Sequence, residues 1–143
     1  MAKCIRCTLV AITALLIQAC AHTAARSEPK SVDAVIRSVS VLEGTTIQVA
    51  GYLRFGDDKH NLWYSREAWM DVSAGYIPAD DPRWNHCITL RDFGDKRSAL
   101  LNRDEHWVLV VGKVNRVPLE PDEIEIGACS EIGISVLSVE SQR

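Results

Sequence analysis

A chain of 143 residues with 47% hydrophobic and 24% charged side chains has the makeup of a globular domain, which excludes a disordered or fibrous protein. Its formal net charge is −3, and it holds no run of basic residues. That balance argues against a nucleic-acid binder, which carries a basic stripe.

The first residues are a basic head, Lys3 and Arg6, followed by an uncharged stretch over residues 8–19. The stretch falls short of the roughly 20 apolar residues that span a bilayer. A short apolar segment behind a basic head, ending in small residues, describes a secretory leader. Its end, Ile17-Gln18-Ala19-Cys20, resembles the lipobox of bacterial lipoproteins. The resemblance implies that Cys20 is lipidated, that residues 1–19 are removed and that the new amino terminus is acylated. Two or more acyl chains hold a protein stably at a membrane. In a Gram-negative host, Ala21 after the cysteine implies the outer membrane, with the domain facing the periplasm. Ordinary cleavage after Ala21 or Ala25 would instead release a soluble protein. Loss of Lys3 and Arg6 takes the net charge from −3 to about −5.

Residues 20–31 then mix Ala, Ser, Pro and charge without apolar periodicity, the composition of a flexible tether. The domain proper is expected over residues 32–143. Of the five cysteines, Cys4 and Cys7 lie in the leader and Cys20 takes lipid, which leaves Cys87 and Cys129. An even pair in an oxidising compartment is expected to form a structural disulfide, with two buried thiols as the alternative.

In chain order, residues 32–41 predict a short helix passing into a loop, and Glu43-Gly44 a turn. Residues 45–55 alternate as a strand, with Ile47, Val49, Gly51, Leu53 and Phe55 on one face and Thr46, Gln48, Tyr52 and Arg54 on the other. A turn at Gly56-Asp57-Asp58 leads into a second strand at Leu62-Trp63-Tyr64, which makes a hairpin. Residues 66–82 predict one helical turn and a long loop. Residues 84–91 return to strand, with His86, Ile88 and Leu90 on one face and Cys87 on the other. Residues 95–102 allow a short helix. Residues 106–117 form a strand whose first half is apolar on both sides, as when both faces are covered. Residues 123–126 and 132–139 alternate again.

Short strands with a helix between the third and fourth predict a mainly β domain, an OB-like barrel of five to six strands with one or two short helices. A small β-sandwich is the alternative. The segments "IQVAGYL", "LWYSREAW" and "WVLVVGKV" resemble OB-like domains of small exported bacterial proteins.

No GxSxG, HExxH, P-loop or GxGxxG occurs, and no cofactor is called for. Asp57, Asp58 and His60 lack an ordered ligand spacing and read as a solvated turn rather than a metal site. His86 and His106 each begin a strand and would meet only if those strands were neighbours. Asp71, Asp80 and Asp81 would need a cleft to act as general acids, and a Pro-containing loop does not supply one. The expectation is therefore a binding protein, not an enzyme. Its candidate surface is aromatic: Tyr52, Trp63, Trp69, Tyr76 and Trp84, in a cluster that also holds Tyr64; the alternative is that Tyr64 and Trp84 are core and the rest shield the barrel ends. The expected partner is a protein, peptide or glycan of the cell envelope, besides the membrane itself. An inhibitor or immunity protein against an envelope hydrolase or an incoming toxin is the second reading.

Overall fold

The computed structural model describes residues 28–57, 59–75, 86–116, 129 and 131–142. The leader, Cys20 and the strand expected at residues 123–126 lie outside the described residues. The tether expected up to residue 31 ends earlier. Lys30–Ser31 form a short strand, β1, paired in parallel with Val49 and Ala50. Ser31 also caps the next helix, its hydroxyl accepting the Ala34 N–H at 3.2 Å. That helix, α1, spans Val32–Arg37 and sends Val32 and Val35 into the core. The loop expected after it is a second helical turn, α2 (Val39–Leu42). Gly44, at φ +77°, then turns the chain in a left-handed conformation that favours glycine.

The strands are β2 (Thr46–Phe55), β3 (His60–Trp63), β4 (Cys87–Arg91), β5 (Trp107–Arg116) and β6 (Ile132–Ser141). The helix α3 (Arg66–Ser73) follows β3, and a 3-10 turn with α4 (Arg97–Leu101) separates β4 from β5. The helical turn expected after residue 66 is thus two turns long. The sheet runs β2–β3–β4–β6–β5 and returns to β2, so five strands close a barrel and β1 is the extra strand. Pairings are antiparallel except β4 with β6 and β1 with β2. A helix inserted between the third and fourth barrel strands completes the expected OB-like barrel.

β2 works on both edges. Thr46 to Tyr52 pair with β5, and Tyr52 to Phe55 pair with β3. Beyond Trp107 the pairing with β5 continues irregularly. Glu105, at φ +63°, donates its N–H to the Leu53 carbonyl, and Leu53 donates to the His106 carbonyl. The barrel interior holds Val49, Leu53, Phe55, Leu62, Ile88, Leu90, Val108, Val110, Val114 and Ile134, with Leu100 of α4 at one end. These are the alternating positions of each strand, as a one-sided core requires.

Between Val111 and Gly112 the β5–β6 register shifts, which leaves Leu137 as the unpaired residue of a bulge, 53% exposed. Gly112 sits where β6 presses closest. A Cβ there would lie 2.3 Å from Ile134 Cγ2 and 2.5 Å from the Ser135 carbonyl oxygen. The oxygen belongs to backbone and cannot rotate away, so Gly112→Ala is expected to destabilise by about 2–3 kcal/mol. Urea unfolding of the two proteins checks this, and an unchanged midpoint would mean that β6 is free to move.

Candidate aromatic surface

Closure of the barrel sets four side chains in one row on its outer face. Tyr52 of β2 lies opposite Trp107 of β5 on one side and Trp63 of β3 on the other, and Trp63 lies opposite Cys87 of β4. Directly paired antiparallel residues share a face. Their chain neighbours Leu53, Val108, Leu62 and Ile88 point into the core. Tyr52 and Trp107 meet edge to face with ring centroids 6.4 Å apart.

The helix α3 covers part of this row. Ser65 starts it, its hydroxyl accepting the Ala68 N–H at 3.1 Å. The helix presents Ala68, Trp69 and Val72 to Trp63, and these with Tyr52, Cys87 and Cys129 form a second hydrophobic cluster, separate from the barrel core. Cys87 and Cys129 are joined as the expected disulfide. The Trp69 ring stands edge-on to Trp63 at 5.4 Å. The Arg54 guanidinium lies 4.4 Å from the Trp69 centroid and the Lys59 ammonium 5.2 Å away.

Arg54 is itself anchored. Its Nε donates to Asp104 Oδ1 at 3.2 Å, and its Nη2 reaches Glu105 Oε1 at 3.2 Å. Asp104 Oδ1 also accepts the Phe55 N–H at 2.7 Å. One carboxylate thus fixes both the strand end and the cation that holds Trp69. Charge-assisted bonds of this kind are stronger than neutral ones. Arg54 lies on the polar face of β2, as the alternation expects, yet it is buried to 9% exposure.

The candidate residues separate on burial. Tyr52 and Trp63 are 4% and 0% exposed, so their rings are packing groups beneath α3 rather than open surface, contrary to the sequence expectation. The alternation of β2 and β3 shows only that they leave the core. It does not show that a helix returns to cover them. Trp69 is half-buried, and Tyr76 and Trp84 lie outside the described residues. Tyr64, core only in the alternative reading, is 45% exposed and packs edge to face on His86. Trp107, outside the aromatic surface expected from sequence, is 44% exposed. It opens a strand that is apolar on both sides, so nothing in the pattern marks it as outward. Its position opposite Tyr52 appears only once the β2–β5 register is known. Met70, on the solvent side of α3, is 52% exposed.

The titratable groups take other places. His60 packs between Phe55 and Phe93, with centroids 5.1 and 5.0 Å away, so its ring joins an aromatic group. His86 and His106 lead into β4 and β5, which are not neighbours in the barrel. His106 Nδ1 lies 2.7 Å from the Asp104 carbonyl oxygen. Asp71 is half-buried in α3, while Asp80 and Asp81 lie outside the described residues. Among the described residues no three His, Cys, Asp or Glu side chains group as metal ligands. Asp95 has its carboxyl held below the ordinary range by a hydrogen bond from Lys96 and by the charge of that ammonium. The pair sits on the 3-10 turn.

Among the described residues three buried side-chain nitrogens, His60 Nε2, Trp63 Nε1 and Arg103 Nε, have no hydrogen-bond partner. An unpaired buried donor costs about 1–3 kcal/mol, and that of Trp63 lies in the cluster that α3 covers.

No family model matches the chain, and no curated protein matches it. Among solved structures it is similar to a chain described as "OBody AM3L09 bound to hen egg-white lysozyme", with 13% identity, 69% of this chain and 82% of that chain covered, and a TM-score of 0.40. A likeness at that level adds nothing to the architecture read from the strand pairing.

Proposed function

We propose that this chain is a non-enzymatic binding module, held at the cell envelope by lipid on Cys20, that captures a protein, peptide or glycan partner on the outer face of its barrel. The observation that carries the reading is Trp107, a large ring left 44% exposed at the end of a packed aromatic row. An indole gives a large contact area at little entropic cost, and such residues dominate binding energy where they occur. The ring is braced edge-on by Tyr52, which is itself buried, so it is held in place before any partner arrives.

Within the aromatic surface expected from sequence, the leading position therefore passes to Trp107. Trp63 is too deep to touch a partner while α3 covers it, whereas Trp107, on the other side of Tyr52, is exposed, as is Met70 of α3. The test is a photoreactive amino acid placed at position 107 of the full chain in its native host. A discrete adduct is expected, and it should vanish in a Cys20→Ser background that no longer sediments with membranes. A position-41 control, at the 78% exposed Val41 of α2, should give none. Equal labelling at 41 and 107, or an adduct indifferent to Cys20, would refute the proposal.

A further inference from the structure

We infer that α3 is a cover that opens independently of the barrel and, when open, extends the aromatic surface from Trp107 through Tyr52 to Trp63. Four observations converge on this. The residues beneath and within α3 form their own hydrophobic cluster, which shares no member with the barrel core. A separate cluster can come apart while the core stays intact. Of the eight residues of α3, only Val72 is buried, and Arg66, Glu67, Met70 and Ser73 face solvent. A helix that short does not persist without a surface to dock on.

Among the described residues, the ring and cation contacts of α3 fall on one side chain. Trp69 carries both the edge-on contact with Trp63 and the cation contact with Arg54. The partners on the barrel side are fixed without α3, because Arg54 is held by Asp104 and Glu105 and Trp63 by its strand pairing. Departure of the helix thus leaves the floor in place. Finally, closure leaves the Trp63 indole N–H fully buried with no acceptor among the described residues. Opening gives that donor to water or to a ligand, so closure carries a standing cost that opening relieves.

The opened face holds Trp107, Tyr52 and Trp63 side by side in register across three strands, with an indole donor at its far end. It suits a ligand with a flat apolar side and a hydrogen-bond acceptor. The use of this face rests on the binding role proposed above, whereas the opening itself does not, and the experiment measures the opening without any ligand.

Hydrogen exchange of the full-length oxidised protein, followed by NMR, reads it directly. The Trp63 Nε1–H and the amides of Trp69 in α3 and of Ala74 at its C-terminal cap are expected to exchange together, at least about 100-fold faster than the amides of Val108 and Val114 in β5. Trp69→Ala should speed Trp63 Nε1–H exchange by about 10-fold or more and leave the β5 amides unchanged. Exchange of Trp63 Nε1–H only as slowly as β5, or equal acceleration of both by Trp69→Ala, would overturn the inference by making the helix and barrel one cooperative unit.

Discussion

Trp63→Ala is expected to lower stability by about 3–5 kcal/mol, the range for truncating a buried aromatic side chain. Trp63 is fully buried and is the largest side chain in the second cluster, and its removal leaves Trp69, Val72 and Cys87 around a void. Trp63→Phe should cost far less, about 1 kcal/mol, because it keeps most of the packing and deletes the stranded N–H. Denaturant unfolding of both variants separates the two terms. If Trp63→Ala were as stable as the parent, the ring would be surface after all, as the sequence pattern suggested.

Reduction of the Cys87–Cys129 disulfide should be of similar size. The bridge joins residues 42 apart in sequence, for which the chain-entropy relation gives about 4 kcal/mol. Both cysteines belong to the second cluster rather than to the barrel interior. The loss is therefore expected to appear first at α3 and Trp63, before the strands yield. The check is the urea midpoint with and without a dithiol reductant, read by tryptophan fluorescence and by far-UV circular dichroism. Unchanged midpoints would mean that the bridge constrains nothing.

The strands were legible because one-sided burial writes itself as alternation. Ile47, Val49, Leu53 and Phe55 follow that rule, and so do Ile88 and Leu90, all of which reach the core. The position of Cys87 on the opposite face was legible for the same reason. Two kinds of feature were not. β1 is two residues long and is held by the edge of β2, so Lys30 and Ser31 show no pattern of their own. The covering of the outer face was hidden because α3 meets the barrel through few side chains and leaves no sustained period. Tyr52, Trp63 and Arg54 consequently looked solvent-facing. Trp107 had the opposite problem: its hydrophobic neighbours suggested burial, and only the closure of β5 on β2 places it outside.

Trp107→Ala tests the central claim most directly, because it asks whether that ring serves the fold or a partner. An exposed residue at a strand end is expected to contribute little to folding, so the change should cost about 0.5 kcal/mol or less. Retention of the crosslinked partner by the lipidated protein should fall at least about 10-fold, as for a binding hot spot. Full retention in a normally folded Trp107→Ala protein would contradict the account, as would a variant that loses its partner only because it unfolds.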